Sequence, residues 1–335
     1  MNKISLFNIV IILLTSLYSC SSTSDYRQCN GATWGTTFHI VYKADHDLND
    51  SILHIMRQIE LSLSPFCDSS KISRINRNEQ SVITDSLIEN VFLVSQEICK
   101  KSDGAFDPTI APIINLWGFG YDGKKHRPPT QEQIDSILPI VGINDCRLTN
   151  HVIEKKHAKT EFNFSAITKG YGCDIIGNML KRNNCHDYMV EIGGEIALSG
   201  INSNGEKWHI MIDAPIKNDS TITHSRLALV EVSDCGIATS GNYRNFVKTP
   251  SGSFGHTINP ANGYPVSTST LCATIIAPTA MRADALATAC MAMPIDKAAK
   301  MIENETGTSA LFVYVDSISR KWTMLKTSRF PQLKQ

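Results

Sequence analysis

The most constraining feature of this sequence is an alanine-rich, apolar run at residues 277–293. Alanine is the best helix former, Thr279 is a suitable N-cap, and Pro294 ends the run, so the run predicts a helix. Because the predicted helix is apolar nearly all round, we expect neighbouring elements to bury it on every side. The core of the protein is therefore expected to form around this helix.

Two polar residues interrupt the predicted helix, Asp284 and Thr288. They are four residues apart, so their side chains project from the same face. An unpaired buried carboxylate is costly, and carboxylate and hydroxyl oxygens are the ligands that Mg²⁺ or Ca²⁺ prefers. In the alternative interpretation, Asp284 pairs with an arginine and Thr288 bonds back to the carbonyl of residue 284. These two residues alone leave both interpretations open.

The composition indicates a globular protein. The chain has 335 residues, of which 42% are hydrophobic, and it carries 32 basic and 32 acidic side chains. This length suits one large domain or two intimate ones. The balanced charge offers no electrostatic argument for binding nucleic acid or an anionic membrane surface, so no nucleic-acid partner is expected.

The N-terminus is expected to be separate from the fold. Residues 6–17 form an apolar run too short to span a bilayer, and it ends at Leu17-Tyr18-Ser19-Cys20. This pattern is similar to a bacterial lipoprotein signal, in which cleavage precedes a cysteine that is then acylated. We therefore predict a signal peptide at 1–19, a lipid-anchored tether at 20–32 starting at Cys20, and a folded domain at 33–330. An ordinary secretory signal is the alternative.

Nine further cysteines follow Cys20. They contain no Cys-X-X-Cys pair, and their spacing fits neither a zinc site nor a small disulfide framework. We expect most of them to lie in the core as small apolar residues. The sequence does not identify a disulfide.

Hydrophobic periodicity predicts helices at 51–63, 85–100, 130–138 and 168–181. Strands are predicted at 36–42, 160–164, 188–192, 208–212, 227–232, 270–276, 311–315 and 321–325. Residues 68–76, 104–123 and 237–242 are expected to form a polar loop, a Gly/Pro-broken segment and a tight turn. Because helices and strands do not alternate as βαβ units, we predict an α+β fold with mixed or antiparallel sheets packed against helices.

Seven short motifs stand in one order along the chain: Gly104-Ala105-Phe106-Asp107-Pro108-Thr109, Asn163-Phe164-Ser165-Ala166-Ile167-Thr168-Lys169-Gly170-Tyr171, Ile192-Gly193-Gly194-Glu195, Ala238-Thr239-Ser240-Gly241-Asn242-Tyr243, His256-Thr257-Ile258-Asn259-Pro260, Asn262-Gly263-Tyr264-Pro265 and Ala283-Asp284-Ala285-Leu286-Ala287-Thr288. Through these motifs, residues 33–326 resemble the ApbE family of flavin transferases. Each motif is weak alone, but seven in order are specific. The resemblance implies a T-fold-like architecture.

The resemblance also implies a reaction. FAD would bind as a substrate together with Mg²⁺, its FMN half would pass to a threonine or serine hydroxyl of a target protein as a phosphoester, and AMP would leave. The metal ligands would be Asp284, Thr288 and the backbone carbonyl of Ala166. Expected targets are exported redox-complex subunits, and the expected location is the inner membrane, facing the periplasm.

The resemblance implies a set of residues that contact FAD: Trp34, Phe66, Ala105, Phe106, Asp107, Asn163, Lys169, His256 and Ile258. His256 is the candidate base, because imidazole titrates near neutrality, and Asp284 is the second candidate catalytic residue. Each assignment has a structural alternative. Lys169 would be a solvated lysine, His256 a contact to the Asn-Pro turn and Asp107 a turn cap, while both aromatic rings would be ordinary core residues.

Three positions depart from the family pattern: Asn163 replaces an Asp, Asn259 replaces the Asp of the Asp-Pro turn, and Trp34 replaces a smaller Met. The contact of Asn163 with FAD is therefore open. Two other functions also remain possible at this stage: an FAD pyrophosphatase that releases FMN and AMP, and a flavin-storage lipoprotein without turnover.

Overall fold

A computed structural model describes residues 25–121, 128–215, 225–241, 246–249, 252–255 and 257–334. The strands in chain order are β1 Asp25–Thr33, β2 Thr36–Ala44, β3 Cys146–Thr149, β4 Val152–Lys155, β5 Tyr188–Ile192, β6 Glu195–Ser199, β7 Trp208–Asp213, β8 Arg226–Val232, β9 Gly236–Gly241, β10 Phe246–Thr249, β11 Gly252–Gly255, β12 Thr270–Ala277, β13 Ser309–Val315 and β14 Trp322–Lys326. The α-helices are α1 Asn49–Leu63, α2 Lys71–Asn76, α3 Ser86–Lys101, α4 Ala111–Leu116, α5 Gln131–Ile137, α6 Ser165–Arg182, α7 Ala280–Met291 and α8 Ile295–Glu303.

Eight strands form one sheet in the order β1-β2-β5-β6-β9-β12-β13-β14. Every neighbouring pair is antiparallel, so each end of the sheet can be followed from strand to strand. We call the upper end the one that carries the turns at residues 34–35, 193–194 and 316–321. The lower end carries the first residues of β1 and β9. The α+β prediction is confirmed, because helices cover a largely antiparallel sheet.

The predicted alanine-rich helix is α7, and it lies at the centre of the core. Thr279 caps it through a hydrogen bond from the Arg282 N–H, and nine of its twelve residues are buried. It packs against α6, β9 and β12, while α6 covers β5 and β6. A Cβ atom on Gly170 of α6 would lie 2.2 Å from the Ala280 carbonyl oxygen, so only glycine permits this approach. The two helices therefore meet backbone to backbone.

The hairpin of β7 and β8 covers the opposite face of the sheet. Trp208, Ile210 and Val230 pack there against Ile196 and Leu311 of the main sheet. Of the nine described cysteines, seven are buried and none forms a disulfide, which agrees with their expected role in the core. No helix in the described part of the chain is both long enough and apolar enough to cross a bilayer.

Several predicted elements are wrong. The region expected to be a tether up to residue 32 forms β1 from Asp25 onward, paired along its whole length with β2. Residues 71–76, expected to be a loop, form helix α2, because the Ser70 side chain accepts a hydrogen bond from the Ser73 N–H and caps it. Residues 160–164 make only an isolated bridge between Ile110 and Glu161.

The predicted turn at residues 237–242 is also wrong, because residues 236–241 form the central strand β9. Its small and polar residues do not suggest a strand, but β6 and β12 on either side supply its hydrogen-bond partners. The sequence analysis also missed β6, the β3–β4 hairpin and helix α8. Helix α8 is strongly amphipathic and β3 and β4 pair with each other across a two-residue turn, so local sequence could have indicated them, whereas β6 is buried along its whole length and shows no alternation.

Candidate active site

A cavity of about 420 Å³ opens at the upper end of the sheet. This volume lies in the range of small-molecule sites. Its walls come from the β1–β2 turn, the C-terminal part of α1 with the following loop, and the first turn of α6. The lining residues are Trp34, Gly35, Ile59, Glu60, Leu63, Ser64, Pro65, Phe66, Ser165, Thr168 and Lys169. The cavity is thus largely apolar, with polar groups gathered on the α6 side.

The two aromatic residues expected to contact FAD both line this cavity. Trp34 occupies the turn between β1 and β2 with a φ of 49°, a left-handed conformation that costs a non-glycine residue about 1 kcal/mol. Its indole Nε1 is buried and has no hydrogen-bond partner among the described residues. Phe66 is 65% exposed and makes an edge-to-face contact with Tyr121. Phe66 is therefore not a core side chain, whereas Trp34 lines the cavity and also packs against the buried clusters beneath it.

Lys169 lies between the cavity and a buried carboxylate. Its Nζ donates a 2.6 Å hydrogen bond to Oε1 of Glu195, the first residue of β6. Glu195 is 5% exposed, and its other oxygen, Oε2, is buried without a partner among the described residues. Burial lowers the pKa of Lys169, but the carboxylates of Asp284 and Glu195 outweigh it and raise the pKa above its usual value. The ion pair therefore fixes the position of the Lys169 ammonium group, and Lys169 is not a solvated surface lysine.

Asp284 projects from α7 onto the first turns of α6. Its Oδ2 accepts a 3.0 Å hydrogen bond from the Gly170 N–H. In an α-helix, the N–H of residue 170 points towards the carbonyl of residue 166, so the Asp284 carboxylate lies beside the Ala166 carbonyl. Among the described residues, no arginine forms an ion pair with Asp284. Arg282 pairs with Glu97 and Glu305 instead, so the arginine alternative finds no support in the part of the chain that the structure describes.

Thr288 lies one turn further along α7, towards the upper end. Its Oγ1 is 3.4 Å from the Ser240 hydroxyl of β9. The neighbouring Thr239 hydroxyl is 2.9 Å from that of Thr274 on β12. Ser240 thus extends the row of side-chain oxygens formed by Asp284 and Thr288, whereas Thr239 faces the opposite side of the sheet.

The electrostatics of this region favour a divalent cation. Two buried carboxyl groups, Asp284 and Glu195, share one ammonium group, Lys169, so the cluster carries a net charge of −1 when both carboxyls are ionised, and burial raises the pKa of Glu195 to about 8. Burial is the largest effect on both carboxyls and raises their pKa values, although Lys169 opposes this shift. No three His, Cys, Asp or Glu side chains converge as metal ligands in the described ranges. A carboxylate, a hydroxyl and a carbonyl suit Mg²⁺, which commonly takes few protein ligands.

The loop expected to bind the nucleotide is held by its own hydrogen bonds. Oδ1 of Asp107 accepts bonds from the Thr109 N–H and hydroxyl, and Oδ2 accepts one from the Ile143 N–H. The Phe106 side chain is buried in the core, whereas Ala105 is half-buried. The carboxylate of Asp107 is thus a turn cap in this structure, and contact between residues 105–107 and FAD stays a prediction.

Asn163 and Ile258 also have structural partners. The Asn163 side chain accepts a hydrogen bond from the Ser165 N–H and so shapes the entry to α6. Ile258 is buried beside Ile110 and Trp117, which places its side chain in a separate apolar cluster. Their contacts with FAD stay predictions. His256, the candidate base, lies outside the described residues, as do Cys20 and the signal peptide.

Sequence reasoning did not single out Glu195 as a site residue. It lay within a quoted motif, directly after two glycines and at the start of a strand whose five residues are all buried. An acidic residue that begins such a strand could have been predicted to belong to a site, because a buried carboxylate needs a partner. Its partner, Lys169, is 26 residues away in sequence, so the pairing could not be inferred locally.

Comparisons with known proteins agree on one family. A family model described as the ApbE family matches residues 34–312. A Haemophilus influenzae protein named FAD:protein FMN transferase is 30% identical over 325 residues, covering 92% of this chain and 92% of that protein. A Vibrio cholerae protein of the same name is 30% identical over 293 residues, covering 85% of this chain and 86% of that protein.

Solved structures show the same architecture. The flavin transferase ApbE of Vibrio cholerae superimposes with a TM-score of 0.81 at 28% identity, covering 91% of this chain and 97% of that one. The apo form of the Pseudomonas stutzeri flavinyl transferase ApbE gives a TM-score of 0.80 at 28% identity, covering 91% and 95%. The similarity therefore extends over the sheet and both helices that form the site.

Proposed function

The chain belongs to the ApbE family, and we propose that it is an FAD:protein FMN transferase that moves FMN from FAD to a threonine or serine hydroxyl of a target protein. The observation that carries this proposal is the placement of Lys169 beside an apolar cavity of about 420 Å³. Asp284 and Thr288 lie on the adjacent helix. The cavity suits a flat aromatic ring system, and the polar side suits a diphosphate.

The residues of the site have distinct tasks in this reaction. Lys169 and the N-terminus of α6 attract the diphosphate, because an ammonium group and free helix N–H groups both favour phosphate oxygens. Glu195 holds Lys169 in place through the 2.6 Å hydrogen bond. Trp34 and Phe66 supply aromatic surface, and the unpartnered Trp34 Nε1 supplies a donor for a polar atom of the ligand.

The reaction is a phosphoryl-type transfer, in which one bond to phosphorus forms and another breaks. The acceptor hydroxyl oxygen bonds to the phosphorus of the FMN half, and the bond from that phosphorus to the bridging oxygen breaks. AMP leaves with the electron pair. The hydroxyl proton passes to a base, for which we propose His256, since imidazole accepts protons near neutral pH.

We also propose that Asp284, Thr288 and the Ala166 carbonyl hold Mg²⁺. The bound ion would neutralise charge on the phosphate oxygens. This assignment is supported by the proximity of Asp284 to the first turn of α6 and by the two buried carboxyl groups, whose ionised forms a bound cation would favour. The support is that the buried carboxyl groups of this cluster outnumber its cations.

We further propose that the protein is exported, cleaved before Cys20 and anchored by a lipid to the inner membrane, facing the periplasm. The motif ending at Cys20 supports this location. Cys20→Ser should abolish incorporation of labelled fatty acid into the protein, because it removes the thiol that is acylated. A variant that is still labelled would contradict lipid attachment at this residue.

The activity can be tested by incubating the full chain with FAD, Mg²⁺ and an exported protein that carries a candidate acceptor threonine. Transfer predicts a flavin-fluorescent target after denaturing electrophoresis, with one AMP released per flavin attached. Free FMN with AMP and an unlabelled target would instead indicate FAD hydrolysis. Unchanged FAD would indicate storage. Replacing the acceptor threonine by alanine is the matched control, because it removes only the nucleophile.

A further inference from the structure

The C-terminal hairpin consists of β13, β14 and the turn at residues 316–321. It forms one edge of the eight-stranded sheet, because β14 pairs only with β13 in the sheet order. Val315 pairs with Trp322 next to the turn, whereas Leu311 pairs with Lys326 at the other end of the hairpin. Following the antiparallel register across β12 and β9 places the turn at the upper end, which is also the end of the candidate site.

This hairpin exposes several large apolar side chains, which is unusual. Ile318 in the turn is 91% exposed, Trp322 is 51% exposed and Met324 is 48% exposed. All five residues of β14 are exposed. Soluble proteins usually protect edge strands with charge, bulges or a covering element, because an open edge invites pairing with another chain. Such an edge with large apolar side chains is typical of an interaction surface.

The turn also carries unpaired positive charge. Arg320 and Lys321 precede Trp322, and neither forms an ion pair with any residue that the structure describes. Asp316, the acidic residue of this turn, accepts a hydrogen bond from the Ser319 N–H and so shapes the turn itself. An occupant of this surface should therefore present apolar groups together with carboxylates.

The proposed activity identifies the occupant. We propose that the C-terminal hairpin is the docking surface for the acceptor protein, an inference that rests on the proposed transferase function. The acceptor hydroxyl must reach the upper end of the sheet, where Lys169 and Thr288 lie. β14 is three strands from β9, or about 14 Å, and four strands from β6, whose Glu195 binds Lys169, or about 19 Å, at the usual strand spacing. A standard interface of roughly 800 Å² per partner is wide enough to cover both places.

One other exposed apolar residue, Ile201, lies at the opposite end of the sheet. Ile201 is 41% exposed, but it follows β6 at the lower end of the sheet, where its carbonyl accepts a hydrogen bond from the Tyr26 hydroxyl. A protein seated over the site would not reach it. Ile201 and Ile318 are therefore a matched pair: the same side chain is exposed at opposite ends of one sheet.

The test compares Ile318→Asp and Trp322→Ala with Ile201→Asp in the full chain. The two acceptor probes are a protein that the wild type flavinylates and a short synthetic peptide copied from around its acceptor hydroxyl. The hairpin variants should raise KM for the protein acceptor by about tenfold or more, since exposed tryptophans at interfaces often dominate binding. Their kcat, their KM for FAD and their rate with the peptide should stay within twofold of wild type. Ile201→Asp should match wild type in all assays.

Three results would overturn the docking assignment: an unchanged KM for the protein acceptor, an equal loss with protein and peptide, or the same loss in Ile201→Asp. If a hairpin variant fails to fold, Arg320→Glu combined with Lys321→Glu tests the same surface, because both side chains lie in an exposed turn. If the transferase proposal itself is wrong, the result differs from all of these, because the wild type would then attach flavin to neither the protein nor the peptide.

Discussion

Two ionic clusters lie on nearly opposite sides of helix α7, and they differ in the balance of their positive and negative charges. Arg282 and Asp284 are two residues apart, so their side chains diverge by about 200° around the helix. On one side, Arg282 and Lys101 contact Glu97 and Glu305, so two cations meet two anions. On the other side, Asp284 and Glu195 share one cation, Lys169.

The protonation behaviour of the two clusters follows this difference. Hydrogen bonding to Arg282 is the largest effect on Glu97 and lowers its pKa to about 2. Burial is the largest effect on Asp284 and raises its pKa, because one shared ammonium group and one N–H do not replace the lost hydration. The balanced cluster indicates a structural role, whereas the unbalanced cluster indicates a site that gains from a further cation.

The largest expected effect comes from Asp284→Asn. This change should lower the rate of flavin transfer by about a thousandfold, since groups that stabilise phosphate charge contribute on that scale. Without divalent metal, its melting temperature should equal or exceed that of wild type, because a poorly compensated buried anion is gone. Rate assays and thermal unfolding in EDTA measure both quantities. A large drop in metal-free stability would indicate that Asp284 is structural.

Magnesium should stabilise the folded chain through the unbalanced cluster. At a concentration one hundred times its Kd, the gain in the free energy of unfolding is about 2.7 kcal/mol. Thermal unfolding against Mg²⁺ concentration should show this increase in wild type and lose it in Asp284→Asn. The same gain in both proteins would place the binding site elsewhere.

Breaking the balanced cluster should affect stability and leave catalysis intact. Arg282→Met leaves Glu97 and Glu305 to share Lys101, and it should lower the free energy of unfolding by about 2 kcal/mol, between the values for exposed and buried pairs. Transfer kinetics should remain within about twofold of wild type. Denaturant unfolding and initial-rate assays test these expectations together. Loss of Mg²⁺ binding in Arg282→Met would show that the two clusters are not separate.

Glu195→Gln should have the smallest effect and should act on metal affinity. Removing one charge from the unbalanced cluster is expected to raise the apparent Kd for Mg²⁺ about tenfold, the usual scale for a group that supports a metal site without ligating it. Glu191→Gln is the matched control, because Glu191 binds the N–H of Gly194 in the same turn and does not contact Lys169. The dependence of the melting temperature on Mg²⁺ concentration gives the Kd of each variant. Equal Kd values would show that Glu195 does not support the metal site.

Much of the fold could be predicted from local pattern. Helices α1 and α3 carry clear amphipathic periodicity and α7 is alanine-rich and apolar, while Asp85 caps α3 and Thr279 caps α7 as expected. The α+β class followed from the absence of βαβ alternation. Strand β9 could not be predicted in this way, because its residues do not favour a strand and only its neighbours in the sheet hold it extended.

The sequence by itself determined the family, the buried helix, and the spacing that puts Asp284 and Thr288 on one face, because these depend on residues near each other in the chain. Tertiary structure alone decided that Lys169 pairs with Glu195, that Asp284 lies against the first turns of α6, and that Asp107 accepts a hydrogen bond from the Ile143 N–H. Those contacts depend on which distant segments become neighbours. That choice is made by packing of the whole core, and local sequence does not encode it.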